Sequence, residues 1–595
     1  MSIELLRRLS KAPTFTAVYP SVLGYEVHYL LRSYEEDAEQ AEVEGKGIAK
    51  TTNYVCIFDK EFVSQAIFEL SDKVKFRIPH PSKDVVVIGR EGELEVINQG
   101  NVSTIKLVGY GEFYTDQYFA PNNPWKNNQF LFVIEKKEKN TAEFTSTFGE
   151  DYDGKGNPQI GVLDIESLAV TFLEIQDFYP MSPSFISDEK IVLAGFPKNI
   201  PKLGIKYCLN RPTVILTLDL ITKSIEVLTN EKESCRSPVV IGESIYFLRN
   251  NQYYSHFQSS QVINYSRKGI EATKAEHFEA ILVKHHEAKD LVLNPIERTE
   301  QNIIIGKVKF RGTALSVVGS KVFYVESTMG SFPTLKVYDH ESGIDREIRK
   351  TPGGLEELKT VVISIGENSD IIGMFNKNEN LIVMPHGGPN SSCLDEFKVS
   401  FSFLARSGFD IARVNYLGSV GYAQSAIDDL VIGQQDIKDT LRAVELLKPN
   451  YKNVIYVGGS RGGYIGATMI GKYPDLFKMA ILMNPVIDLH TMAVASDIHD
   501  WAFGQLQLPA GDIYSQVEVF AKASPANWAN KVHVPVLLLL GEKDRRVPCI
   551  QGLLYHRLLK KAKTILYPDA NHSLESPLSY YDVNLQIIKF INENI

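Results

Sequence analysis

The residues that could do chemistry gather around one serine. Asn453 to Ala467 reads Asn-Val-Ile-Tyr-Val-Gly-Gly-Ser-Arg-Gly-Gly-Tyr-Ile-Gly-Ala: an apolar β-rich run, two glycines, a serine, then two glycines leading into small residues. This is G-x-S-x-G at Gly458, Ser460 and Gly462, the pattern of a nucleophile held on a strand-to-helix turn. Glycines suit both sides of such a turn because neighbouring backbone passes where a Cβ would clash. The bare pattern arises by chance in roughly one chain in five to ten of this length. Its weight therefore comes from the legible strand before it and helix after it.

A serine hydroxyl is inert at neutral pH unless a base takes its proton, so the elbow calls for a histidine and a carboxylate to orient it. With this kind of elbow the acid and then the histidine follow in the loops after late strands. Val536 to Leu540 runs into Gly541-Glu542-Lys543-Asp544-Arg545-Arg546-Val547-Pro548, and Thr564 to Tyr567 into Pro568-Asp569-Ala570-Asn571-His572-Ser573. Asp544 and His572 fit the two slots. Glu542, Asp569 and His556 compete for them. Glu542 directly follows the strand-ending glycine, Asp569 is too near the histidine to occupy the neighbouring loop, and His556 falls in a helical pattern. Acyl transfer also needs oxyanion donors. The backbone N–H of Arg461 is one. The other is expected from Pro385-His386-Gly387-Gly388-Pro389, which follows the strand Leu381 to Met384 and leaves amides bare for an anion.

The elements that must hold these groups alternate after about Thr351. Buried strands at Leu381–Met384, Ile411–Asn415, Val454–Val457, Met479–Met483, Val536–Leu540 and Thr564–Tyr567 are interleaved with helical patterns. Gln434 to Lys448 puts Ile437, Leu441, Val444 and Leu447 on one face, and the last helix aligns Val583, Ile587 and Ile591. The expectation is a domain over 351–595 built on a doubly wound, mainly parallel sheet.

Residues 21–350 read differently, as short β-rich runs between Gly, Asn, Asp, Ser and Pro. A strand, an Asp-led turn and a strand recur around Asp164, Asp219 and Asp339, which lie 55 and 120 positions apart, with fainter copies at Asn98 and Asp59. Ser182-Pro183 and Ser237-Pro238 open further strand pairs. Four strands per 40 to 65 residues predicts a β-propeller. Residues 1–20 read as a short amphipathic helix docking on the protein's own surface.

Composition limits the function classes. A chain of 595 residues exceeds one core, and 44% hydrophobic with 23% charged residues is globular throughout. A net charge of -9 gives no basic field for nucleic acid. Five scattered cysteines, with no C-x-x-C pair, suggest neither disulfides nor zinc, and a cytoplasmic protein fits best. No stretch reads as a membrane span or secretory leader. Sequons at Asn101, Asn264, Asn390 and Asn571 fit a chain that never meets the glycosylation machinery, since glycans on the last two would obstruct the site. No cofactor or metal is expected, and the composition leaves a homo-oligomer open.

With these residues in view, the chain resembles the prolyl oligopeptidase family of serine peptidases, and within it the acylaminoacyl peptidase branch. The likeness lies in Met384-Pro-His-Gly-Gly-Pro389, Val414-Asn-Tyr-Leu-Gly-Ser-Val-Gly421, Gly458 to Gly463, Asn484-Pro-Val-Ile487, Ser496-Asp-Ile, Asp500-Trp501, Gly541 to Pro548 and, upstream, Leu203 to Arg211. The resemblance implies a seven-bladed propeller over 21–350 capping an α/β-hydrolase domain over 351–595, an N-terminal helix within residues 1–20 packing on the hydrolase domain, and release of N-acylated residues from short blocked peptides. It implies Ser460 as nucleophile, Asp544 and His572 completing the triad, Gly388 with Arg461 forming the oxyanion hole, and Arg546 beside the substrate. Trp501 and Phe503 would wall an apolar pocket. Two positions depart from the family: Leu417 replaces an arginine that would anchor the oxyanion loop, and Arg461 replaces a histidine or aromatic residue. A dipeptidyl or oligopeptidyl peptidase of the same family, for which Glu35-Glu36 and Glu356-Glu357 are the visible glutamate pairs, is one competing function. A carboxylesterase and a non-catalytic propeller binding protein are the others.

Overall fold

The structure is a computed structural model that describes residues 2–35, 48–137, 146–252, 256, 258–266, 269–278, 281–282, 284–286, 293–294, 302–305, 308–351, 355–388, 390–509 and 511–595. Its first half is a ring of antiparallel sheets. Thr14–Ser21, Gly24–Glu35, Ile48–Asp59 and Ser64–Leu70 form the first sheet, and Val74–Pro79 to Asn101–Lys106 form the second. Three more follow, ending at Val170–Leu173, Ile225–Val227 and Gly269–Phe278, and the last runs from Thr313–Val318 to Ile344–Lys350. Phe15, Val27 and Phe58 of the first sheet share a core with Phe323, Leu335 and Val337 of the last, which closes the ring.

The recurrent aspartates mark the turn between the third and fourth strands of their sheets. Asp164 Oδ1 accepts the N–H groups of Glu166 and Ser167, and Asp219 Oδ1 those of Ile221 and Thr222. Asp59 Oδ1 does the same for Glu61 and Val63. A short carboxylate that bonds its own backbone two to four residues on is what makes such a turn tight. Ser182 and Ser237, at φ 46° and 53°, are bulges in the first strands of their sheets.

The blade count differs from the seven that the resemblance implies. Six such sheets are present among the described residues. Among the described residues, the interval from Asp219 to Asp339, read as two equal periods, holds the last strand of the fourth sheet, the whole fifth sheet, two short pairs (Ile281–Leu282 with Leu293–Asn294 and Asn302–Ile305 with Val308–Arg311), the strand Lys284–His286 and the first three strands of the last sheet. Between the third and fourth strands of the fifth sheet, Ser259–Ser266 and Gly269–Phe278, the sequence has no aspartate, so this repeat carried no signature.

The second half is an eight-stranded sheet ordered Val361–Gly366, Ser369–Met374, Asp410–Asn415, Asn380–Pro385, Asn453–Gly459, Met479–Met483, Val536–Gly541 and Ala562–Tyr567. The first two strands form an antiparallel hairpin, Ser369–Met374 also pairs antiparallel with Asp410–Asn415, and the neighbours from Asp410–Asn415 onward run parallel. The strand Val536–Gly541 is buried along its whole length because helices cover both faces. Its side chains alternate between them. Leu538 and Leu540 meet the layer containing Ile437, Val444 and Ile465, while Leu537 and Leu539 meet Phe403, Ile587 and Ile591. The N-terminal helix Ser2–Ser10 joins that second layer through Leu6 and Leu9. Its chain enters the first propeller sheet by Thr14. Among the described residues no helix is long and apolar enough to cross a membrane, and all five cysteines are free thiols.

Candidate active site

Ser460 stands at φ 54° and ψ −120°, between the strand Asn453–Gly459 and the helix Arg461–Lys472. Few side chains tolerate this backbone region, and a residue held there needs surroundings that over-determine it. Those surroundings are the glycines. A Cβ on Gly458 would fall 2.6 Å from the Gly462 carbonyl oxygen, one on Gly462 2.6 Å from that of Pro385, and one on Gly463 2.6 Å from Pro485 Cβ. The Ser460 N–H is fixed by the Met483 carbonyl at 2.9 Å. The serine is thereby presented at the C-terminal edge of the sheet, with helix amides beginning at Arg461.

Asp544 and His572 follow the last two strands, Val536–Gly541 and Ala562–Tyr567, in the order the sequence suggested. His572 Nδ1 lies 2.7 Å from Asp544 Oδ2, while Asp544 Oδ1 accepts the Val547 N–H at 2.7 Å. The aspartate side chain is fully buried and the histidine about a quarter exposed. Burial alone would lower the imidazole pKa. The Asp544 charge and hydrogen bond, with Glu150 adding, outweigh it, so the net shift is upward. The competing groups lie elsewhere: Glu542 is exposed, Asp569 pairs with Lys543 at the surface, and His556 Nδ1 meets Thr564 Oγ1.

The Gly387–Gly388 loop lies against the serine, since a Cβ on Gly387 would be 3.5 Å from Ser460 Cβ. Gly388 has φ +119°, which its lack of a side chain permits. No charge at position 417 supports this loop. Instead the Tyr416 hydroxyl donates to the His386 carbonyl at 3.1 Å, and its ring stacks on His386 at 4.4 Å. Asn390 Nδ2 donates to the Gly418 carbonyl, His386 Nε2 meets Ser419 Oγ, and the Leu417 N–H is taken by Asp439.

Two residues to which the sequence reading gave no role hold the site together. Asn484 Nδ2 donates to the His572 carbonyl at 3.0 Å while its Oδ1 accepts the Gly541 N–H, joining the two late loops. Its position directly after a central strand was the available signal. Glu150 comes from the propeller. Its Oε1 accepts the His572 N–H at 3.0 Å and its Oε2 the Arg545 N–H at 2.7 Å. Nothing local to Glu150 announces this.

Ser460, His572, Gly387 and Gly388 open on a cavity of about 430 Å³ whose apolar side is Val486, Met492, Ile498 and Trp501 and whose propeller side includes Tyr207 and His256. Arg546 also lines it, held by Asp497 through Nε and Nη2 at 2.7 and 3.1 Å and by the Lys206 carbonyl of the propeller. Phe503, expected beside Trp501, is not among the lining residues. It packs into the hydrolase core, 5.2 Å from the Phe520 ring. The two residues sit two apart on the helix Asp500–Gln505, and such neighbours do not share a face. The same helix is strapped to the propeller by Arg211, whose guanidinium meets Asp500 at 2.8 Å, with His256 at 3.1 Å from the same carboxylate.

Among the described residues no cluster of metal-ligating side chains is present. What the arrangement can do is transfer an acyl group. It has a strained serine, a carboxylate-oriented imidazole, bare amides from two directions, and a partly apolar chamber between two domains.

Residues 395–595 match the profile of the prolyl oligopeptidase family, and residues 135–242 that of the N-terminal domain of acylamino-acid-releasing enzyme. The chain is 28% identical over 531 residues to the acylamino-acid-releasing enzyme of Homo sapiens, spanning 76% of this chain and 70% of that protein. The Arabidopsis thaliana enzyme of the same name is 24% identical over 567 residues, 76% of this chain and 74% of its own. Among solved structures, Pyrococcus horikoshii acylaminoacyl peptidase superposes with a TM-score of 0.78 at 18% identity, covering 99% of this chain and 97% of that one. A Mycobacterium tuberculosis puromycin-hydrolyzing peptidase gives 0.72 at 15%, covering 99% and 96%. The structural likenesses bear on the fold.

Proposed function

The chain is a serine hydrolase of the prolyl oligopeptidase family, and we propose that within it the protein releases N-acylated amino acids from short blocked peptides. Ser460 Oγ attacks the carbonyl of the blocked residue while His572 takes its proton. The Arg461 and Gly388 amides receive the developing oxyanion. His572 then protonates the leaving amine, and water, activated by the same imidazole, frees the acyl-enzyme. Asp544 holds the ring in the tautomer that presents Nε2.

The observation that carries this reading is the shared cavity. It brings Ser460, His572 and the glycine loop together with an apolar wall, Val486, Met492, Ile498 and Trp501, which suits the side chain of an acylated residue. Tyr207 and His256 of the propeller close it from the other side, which favours short or unfolded peptides. A dipeptidyl peptidase would need a carboxylate pair for the free amine. Glu356 and Glu357 are exposed and do not line the cavity, and Glu36 lies outside the described residues. Glu396, the acidic residue among those lining it, pairs with Lys398 at 3.2 Å.

The test compares turnover of acetyl-alanine and of free alanyl-proline chromogenic amides, with Ser460→Ala and a fluorophosphonate label as controls. Faster turnover of the free-amine substrate would sink the acylaminoacyl reading, and failure to label Ser460 would sink any serine mechanism.

A further inference from the structure

The side chain of Arg461, next to the nucleophile, has no part in the chemistry above. It is fully buried, as is the Asp436 carboxylate on the helix Gln435–Leu447 to which its Nη2 donates. Nε and Nη1 are buried as well and have no hydrogen-bond partner among the described residues. The guanidinium lies over the Tyr464 ring at 4.2 Å, one turn along its own helix. Asp436 is itself anchored, its Oδ2 accepting the Gly433 N–H at 3.2 Å and its Oδ1 the Ile437 N–H at 2.8 Å. The Arg461 charge is also felt by Tyr416, the phenol that donates to the carbonyl beside the Gly387–Gly388 loop.

A buried guanidinium with two donors unmet is an expensive way to fill space, since desolvation is not fully offset by bonding. An apolar side chain would pack there at less cost. What an anchored arginine adds is a fixed connection. Ser460 is held at strained dihedrals, and the peptide unit that would rotate if it relaxed is Ser460–Arg461, which carries the N–H facing the oxyanion position. As the first residue of its helix, Arg461 has no partner for that N–H within the helix.

We propose that the Arg461–Asp436 pair is a positioning device that ties the elbow to the adjacent helix and so keeps the Arg461 N–H, together with the Gly387–Gly388 loop, where the tetrahedral oxyanion forms. This rests on the reading of Ser460 as nucleophile and of the Arg461 amide as oxyanion donor.

The experiment compares wild type with Arg461→Met, Arg461→Lys and the double variant Arg461→Met/Asp436→Asn, in which no buried charge is left unpaired. Urea unfolding reports the structural share. Steady-state kinetics on an acyl-amino-acid nitrophenyl ester, affinity for a peptide boronate that forms an anionic tetrahedral adduct on Ser460, and affinity for an N-acyl amino acid product report the positioning share. The double variant is expected to recover most of the wild-type unfolding midpoint. Its kcat should stay about tenfold to a hundredfold low with KM little changed, and boronate affinity should fall in parallel while product affinity holds. Arg461→Lys, which keeps the charge and loses the fork, should fall between. A double variant with wild-type kcat and boronate affinity overturns the proposal and leaves only a structural pair. Absence of fluorophosphonate labelling at Ser460 in wild type would remove the underlying reading as well, so the two failures are distinguishable.

Discussion

Glu150, on a propeller loop, accepts the backbone N–H of His572, 422 residues further along the chain, at 3.0 Å. Its other oxygen takes the N–H of Arg545, the residue after Asp544, at 2.7 Å. One carboxylate from the capping domain thus fixes both loops that carry the histidine and its acid. Because hydrogen bonds to a charged acceptor are stronger than neutral ones, Glu150→Gln is expected to lower kcat/KM by about tenfold while the chain stays folded. Circular dichroism and kinetics on the acetyl-alanine amide check this, and wild-type kinetics in the variant would show that the clamp is dispensable.

The same contact has a pH consequence. In the proposed mechanism His572 must be neutral to act as base, and its pKa is raised, because Asp544 and Glu150 favour the imidazolium by more than burial disfavours it. The acid limb of kcat/KM should therefore fall above the ordinary histidine value of about 6.5. Glu150→Gln removes one raising charge, so its limb should move to lower pH. A limb at or below 6.5 in wild type, or one that does not move in the variant, would count against this assignment.

The elbow glycines are not equivalent. A Cβ at Gly458 or Gly462 would fall 2.6 Å from backbone oxygen, whereas at Gly459 its nearest neighbour would be 3.5 Å away. Gly458→Ala and Gly462→Ala are expected to cost about 2 to 4 kcal/mol and to abolish activity, and Gly459→Ala to cost less than about 1 kcal/mol. Urea melts of the three variants test the ranking.

This ranking was partly legible in the chain itself. Gly458, Ser460 and Gly462 announce the elbow because its geometry excludes side chains at two fixed spacings. The strands Met479–Met483 and Val536–Gly541 are equally plain, because a two-sided sheet demands unbroken apolar runs. The antiparallel hairpin Val361–Gly366 and Ser369–Met374 was missed because its edge strand is only partly buried and its inner strand is short and opens on Ser369-Asp370. Glu150 could not be read at all. Its role depends on how two domains meet, and no local spacing encodes that. The number of propeller sheets was hidden for a related reason, since a sheet that turns without a capping aspartate leaves no mark.

Arg211 and Asp500 tie the domains together where the cavity is formed. The Arg211 side chain is 7% exposed and that of Asp500 23%, so removing one partner strands the other in a poorly solvated place. Arg211→Met is expected to destabilise the protein by about 3 kcal/mol or more. Burial would raise the Asp500 pKa, but His256 and Arg211 outweigh it and hold the carboxylate well below its ordinary value. The stability this pair contributes is thus present above the unfolded carboxylate pKa of about 3.9 and lost as pH falls through the lower folded value. Unfolding midpoints of wild type and Arg211→Met should converge only in strong acid. A constant gap down to about pH 2 would contradict that linkage.

Trp501 and Phe503 separate specificity from stability on one short helix. Trp501 borders the cavity, while Phe503 packs its ring against Phe520 in the core. Trp501→Ala should enlarge the chamber and change the ratio of kcat/KM for acetyl-phenylalanine over acetyl-alanine amides by about tenfold to a hundredfold. Phe503→Ala should leave that ratio near wild type and cost about 3 to 5 kcal/mol in urea unfolding. If Phe503→Ala alone changed the ratio, the apolar subsite would have to extend through the helix into the core. Both aromatics would then be reassigned as substrate contacts.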